Sequence, residues 1–208
     1  MEQQATSEPA RRLIVGISGA SGVVYGVRLL QLLGGTTVTT HLVMSRTAKI
    51  TLASETDFKV SDVEALANVV HSNQDLSAAC SSGSFKTLGM VIAPCSVKTL
   101  AEIAAGVTAN LLSRAADVAL KERRRVVLLL RETPLHIGHI RSMAAATEAG
   151  AIIFPPVPAF YARPASLEDM IDHTLGRVLD LFDIDLGLVR RWTGPKPGRR
   201  AAADPASG

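Results

Sequence analysis

Five short apolar runs that do not alternate with polar residues constrain this chain most. They are residues 12–18 (RLIVGIS), 37–44, 88–93 (LGMVIA), 125–130 (RVVLLL) and 151–154 (AIIF), and each ends at a cluster of small, polar or proline residues. A strand apolar on both faces has to be covered on both, which excludes a half-solvated antiparallel sheet and points to parallel strands between helical layers. The segments that follow carry apolar residues at helical spacing. Helices are expected at 23–33, 45–54, 97–105, 110–121, 139–149 and 166–182, the last opening with Ser166 as cap and Glu168 and Asp169 in its first turn. The expected fold class is α/β, a three-layer α/β/α sandwich with a mainly parallel sheet.

Composition narrows this further. At 208 residues with 47% hydrophobic and 20% charged side chains, the chain fits one domain, here taken as 12–193, and is too apolar for a disordered chain. Its ends, 1–11 and 194–208, have little to bury and are expected to be disordered. No apolar run approaches the roughly 20 residues that cross a bilayer, so no membrane span is expected. The formal charge of +3 comes from the end of the chain: from Arg190 onward five cations face Asp204 alone, leaving −1 on the residues before it. That distribution gives no nucleic-acid face. Cys80 and Cys95 are the only cysteines, and no apolar signal follows MEQQATSEPARR, so free thiols and a cytoplasmic location are expected.

Two strand-to-helix turns are candidates for chemistry. The first reads Gly16-Ile-Ser-Gly19-Ala-Ser-Gly22, with Ser18 where a dinucleotide fingerprint has its second glycine. Small residues there let backbone amides and the hydroxyls of Ser18 and Ser21 approach a phosphate or a flat ring, although the same turn can simply connect a strand to a helix. The second, Ala93-Pro94-Cys95-Ser96-Val97-Lys98-Thr99, repeats the arrangement after the strand at 88–93. Cys95 has no base nearby in sequence and is read as a buried thiol. Ser81-Ser82-Gly83-Ser84 reads as a solvated loop, and Arg114 and Lys121, seven apart, share one helix face with Asp117 between them. Arg131 and Glu132 place charges directly after a buried strand. Tyr161 lies in a proline-rich stretch and Arg177 in the following helix, where the two can share an anion or serve ordinary packing. His136 and His139 lack a third ligand, so no metal is expected.

Taken in order, GISGASG, SETD, SSGSF, PCS-x-KTL, RAADVALKERR, RETPLH and PPVPAFYARP resemble the UbiX-type flavin prenyltransferases of the flavin-binding decarboxylase-like superfamily, over residues 12–185. The resemblance implies a Rossmann-like homododecamer that joins dimethylallyl monophosphate to N5 and C6 of reduced FMN, making prenylated FMN for UbiD-type decarboxylases. FMN contacts carry over to Gly19, Ala20, Ser21, Ser45, Ser96, Val97, Lys98, Thr99 and Arg131. Contacts to the dimethylallyl phosphate carry over to Ser82, Arg114, Lys121, Tyr161 and Arg177. Ser21, Glu55, Lys121 and Glu132 are the expected catalytic set. Where some relatives have Ser-Thr-Gly-Thr, this chain has Ser96-Val97-Lys98-Thr99. Within the superfamily the alternative is an FMN-dependent cysteine decarboxylase, and outside enzymes a non-catalytic flavin carrier. A dinucleotide dehydrogenase fits less well, because the glycine fingerprint is imperfect.

Overall fold

The computed structural model describes residues 11–194; of the two ends expected to be disordered, all but Arg11 and Gly194 lie outside the described residues. Six strands, β1 (Arg12–Ile17), β2 (Thr39–Met44), β3 (Val69–Ser72), β4 (Gly89–Cys95), β5 (Arg125–Leu130) and β6 (Ile152–Ile153), form one sheet in the order β3-β2-β1-β4-β5-β6. Every neighbouring pair is parallel, and Leu13 lies opposite both Thr40 and Gly89. The non-alternating runs behave as expected: all seven residues of β4 are buried, as are five of six in β1, β2 and β5.

Helices cover both faces. On one lie α1 (Val24–Leu33), α2 (Arg46–Glu55), α3 (Val60–Glu64) and α7 (Leu167–Asp180), around Leu13, Val15, Ile17, Leu29 and Leu179. On the other lie α4 (Val97–Ala104), α5 (Leu111–Lys121) and α6 (Ile137–Glu148), around Ile14, Met90, Ile92, Leu112 and Leu128. Hydroxyl and amide caps start the helices where the sequence placed them: Ser45, Ser96, Asn110 and Ser166 each accept an amide of the first turn. α6 begins earlier than expected because His136 caps it, accepting from the Gly138 amide at 3.0 Å. The ring of His136 also packs against that of His139, tilted by 32° with 3.6 Å between ring centroids, so both imidazoles have a structural task.

Gly26 lets α1 approach the sheet closely, since a Cβ there would run into the carbonyl of Ala93. The strand order reverses between β1 and β4, the place where sheets of this topology leave a crevice beyond their carboxyl ends. Both candidate turns open into it.

Candidate functional site

Ser18 joins the two turns. Its hydroxyl donates to the carbonyl of Pro94 at 2.9 Å and accepts from the amide of Ser96 at 2.7 Å. With 1% of its surface exposed it cannot meet a ligand, so the expectation that it approaches a phosphate is corrected. The residue matters because a glycine at this position could not tie the turns together. Ser21 is exposed, and Gly19 lacks the Cβ that would collide with Thr47. Ser45, which caps α2 and bonds Thr47 at 3.0 Å, lies on the same rim.

The two helix N-termini differ in what they offer. The amides of Gly22 and Val23, leading into α1, both donate to the Glu55 carboxylate, at 2.8 and 3.3 Å. Partial burial works against ionisation of Glu55. Hydrogen bonds from the Ser21 hydroxyl and these two amides, with the charge of Arg131, outweigh it and hold the carboxyl below the usual range. Glu55 is therefore ionised at neutral pH and fills the site where a doubly wound fold commonly seats a phosphate.

At α4 the amide of Thr99 is taken by Ser96 at 3.3 Å, while those of Val97 and Lys98 make no hydrogen bond among the described residues. The Ser96 hydroxyl reaches Thr99 at 3.1 Å, which leaves Thr99 buried. The Lys98 ammonium turns to Glu102 at 2.8 Å, so what Lys98 presents toward the turn is its amide. Arg131 is exposed at the end of β5, its amide bonded to the carbonyl of Cys95 at 3.1 Å. Two free amides at a helix N-terminus next to a guanidinium suit a phosphate monoester. Cys95 lies beneath them, fully buried and with its thiol pKa pushed up by desolvation, so it is inert; burial raises the Cys80 thiol to about 11.

Gly19, Ala20, Ser21, Ser45, Glu55, Ser96, Val97, Lys98, Thr99 and Arg131 thus gather at one edge of the sheet. Glu132 follows on that edge, exposed, its carboxylate taking the Thr133 amide at 3.0 Å. The other residues divide. Lys121 ends α5 beside the start of β5, paired with Glu122 at 2.6 Å, and the Ser82 loop is held there by Arg124, which donates to the carbonyls of Gly83 and Phe85 at 2.6 and 2.7 Å. A six-residue strand lies between this group and Arg131, which at about 3.3 Å per residue is a separation of roughly 20 Å. Arg114, two turns back on α5, pairs with Asp117 at 2.9 Å. Tyr161 and Arg177 belong to the other face, where Tyr161 packs edge-on against His173, one turn before Arg177. One chain therefore presents three partial groups of cations and hydroxyls.

Sequence reasoning also assigned Arg190 and Arg191 to a basic tail. The structure places them on the folded body: Arg191 pairs with Asp180 at 2.9 Å and Asp185 at 3.1 Å, and Arg190 donates to the carbonyl of Ala162 at 3.2 Å. Local charge carried no signal of this, since the partners lie up to 28 residues away. Among the described residues no group of three His, Cys, Asp or Glu side chains is arranged to hold a metal ion, and no helix is long and apolar enough to cross a membrane.

A doubly wound parallel sheet with an anion cradle at its switch point defines a nucleotide-binding α/β protein, and the free amides of α4 favour a mononucleotide over a dinucleotide laid across α1. Residues 1–179 match the family model described as Flavoprotein. The chain is 61% identical over 187 residues to the flavin prenyltransferase UbiX of Escherichia coli K12, covering 88% of this chain and 99% of that protein. It is also similar to the solved structure of AnUbiX (PadA1) in complex with FMN and dimethylallyl pyrophosphate, with a TM-score of 0.88 and 52% identity over 90% of this chain and all of that one. A dodecameric FMN-dependent UbiX-like decarboxylase from Escherichia coli O157:H7 matches with a TM-score of 0.85 and 48% identity, over 88% of this chain and all of that one. The chain belongs to the UbiX flavin prenyltransferase family of flavoproteins, as its seven motifs led one to expect.

Proposed function

We propose that this chain joins the dimethylallyl group of dimethylallyl monophosphate to N5 and C6 of reduced FMN and releases prenylated FMN for a UbiD-type decarboxylase. The observation that carries this reading is the pair of open amides at the α4 N-terminus beside Arg131, facing a turn where the Glu55 carboxylate is held on the amides of Gly22 and Val23. The Val97 and Lys98 amides, the Ser96 and Thr99 turn and Arg131 hold the flavin phosphate, with Gly19, Ala20 and Ser45 lining the approach. Reduced flavin supplies the two nucleophilic positions. Breaking the allylic C–O bond sends negative charge onto the departing phosphate, which Arg114, Lys121 and Arg177 neutralise and Ser82 and Tyr161 orient. Glu132 gives a proton to that phosphate as N5 gives up its own; ring closure then adds a proton to the prenyl double bond, which opens its substituted carbon to C6, and Ser21, with Glu55 behind it, takes the proton displaced from C6.

The separation of the cation groups within one chain supports a site completed by neighbouring copies, in a homo-oligomer of the kind described for the E. coli O157:H7 relative, a dodecamer. The rest of the reading is one flavin-binding domain over 12–193 and, with two buried free thiols, a place in the cytoplasm. Anaerobic incubation with FMN, dithionite and dimethylallyl monophosphate, followed by mass spectrometry of the extracted flavin, tests it. A flavin heavier by one five-carbon unit, absent with Lys121→Ala or Glu132→Gln, is the expected result. Unmodified FMN with both the monophosphate and the pyrophosphate would overturn it in favour of a flavin carrier.

A further inference from the structure

Asp180 closes the last turn of α7 and serves two arginines. Arg191 approaches it as a fork, Nη2 to Oδ1 at 2.9 Å and Nη1 to Oδ2 at 3.0 Å, while Arg177 donates only Nη1 to the same Oδ2 at 3.0 Å. The side chain of Asp180 is 17% exposed, whereas those of Arg177 and Arg191 are 48% and 51% exposed. Arg191 therefore accounts for both carboxylate oxygens, and Arg177 is the donor that can leave. The segment bearing Arg191 is further seated by Arg190 on the Ala162 carbonyl, by the edge of Trp192 on Tyr161 at 6.0 Å between ring centroids, and by Val189, whose side chain a Cβ at Gly176 would meet.

We propose that Arg191 is a positioning residue for the donor phosphate: by neutralising Asp180 in a bidentate pair it frees Arg177 to turn to the phosphate and removes the repulsion a bare carboxylate would exert on that dianion. The inference rests on the reading of Arg177 as a donor contact. Without Arg191, a mostly buried carboxylate has Arg177 as its remaining helix partner and holds it. The negative charge of Asp180 then also opposes a dianion bound one helical turn away or less.

The test is calorimetric binding of dimethylallyl monophosphate to the full-length protein loaded with oxidised FMN, together with steady-state kinetics on the reduced form. Arg191→Met is expected to weaken donor binding about tenfold and raise KM while kcat stays within about twofold, a modest effect in keeping with the partial exposure of the arginines. Asp180→Asn combined with Arg191→Met is expected to restore binding to within about threefold of the original, because the carboxylate that would hold Arg177 is gone and Asp185, the other partner of Arg191, is 64% exposed and screened by solvent. A purely structural tether would show the opposite: the double variant, still lacking the fork, would bind as poorly as Arg191→Met, and that result overturns the proposal. Arg177→Met separates the two levels. If it weakens donor binding while Arg191→Met does not, this inference alone fails; if Arg177→Met binds the donor normally, the assignment of Arg177 fails and this inference with it.

Discussion

The N-termini of α1 and α4 make the instructive comparison. Both follow a buried parallel strand, both are approached by a turn of small and hydroxyl residues, and Ser18 ties them together. One is filled by a carboxylate of the same chain, the other keeps two amides open. The glycine-rich turn, which a motif search would favour, is thus the closed one, and the turn without glycine is the open one. An anion site is defined by which backbone donors remain unpaired, and glycine spacing reports only how closely a ligand or a neighbouring element can come. Glu55 also leaves a negative charge where a second phosphate of a dinucleotide would lie, which separates this fold from the dehydrogenases that share its strand order.

The comparison is broken most severely at α4. Val97 is the first helical residue after the Ser96 cap, a position where proline is tolerated, and Ser96 already has an extended ψ of 157°, as a residue before proline adopts. Val97→Pro should therefore keep the helix and delete one amide donor. Since a hydrogen bond to a charged group contributes roughly 1.5–3 kcal/mol, FMN binding should become about 10- to 100-fold weaker. Fluorescence titration of FMN checks this, with a melting temperature within a few degrees of the parent as the control for folding. Unchanged FMN affinity would place the phosphate elsewhere.

The next effect is smaller and opens the closed site. Glu55→Ala uncovers the amides of Gly22 and Val23, so the variant should become able to bind inorganic phosphate there. With both proteins saturated with FMN, its melting temperature in phosphate buffer should rise by a few degrees relative to an uncharged buffer, by simple mass action, while that of the parent should show little change. A variant indifferent to phosphate would mean that the α1 terminus is no anion site even when empty.

Much of this architecture was legible because buried parallel strands announce themselves by apolar runs. β1, β4 and β5 and the capped helices α4, α5 and α7 fall within about two residues of expectation. β3 and α3 were missed for a physical reason: β3 is a four-residue edge strand, VVHS, with both valines exposed, and α3 is five residues long. Neither buries enough to impose a period. In the site, residue types at the two turns were readable, but their division of labour was not. That Ser18 is a tie, that Lys98 offers its amide while its ammonium goes to Glu102, and that Glu55 folds back 33 residues onto α1 are all consequences of packing. The scattered cations shared a task only through family resemblance, and in one chain they do not meet.

The smallest expected effect follows from the charge of Glu55 itself. Its carboxyl is held below the usual value despite partial burial, because Ser21, two amides and Arg131 favour the ionised form. A carboxyl with a depressed folded-state pKa contributes stability that is fully present above its unfolded value near 4.5 and is lost as pH falls through the folded value. Melting temperature measured from pH 6 down to pH 3 should therefore fall for the parent with a component that Glu55→Gln lacks, since the amide keeps its shape but has no proton to gain. Above pH 5 the same variant should melt only slightly lower, by the loss of a charge at a helix N-terminus, and the difference between the two proteins should shrink on acidification. The α4 terminus has no carboxylate of its own to titrate, so Ser96→Ala should shift the whole curve down without changing its slope. Parallel curves for the parent and Glu55→Gln would show that the contact filling the α1 terminus behaves as a neutral one, and the electrostatic contrast with the α4 terminus would disappear.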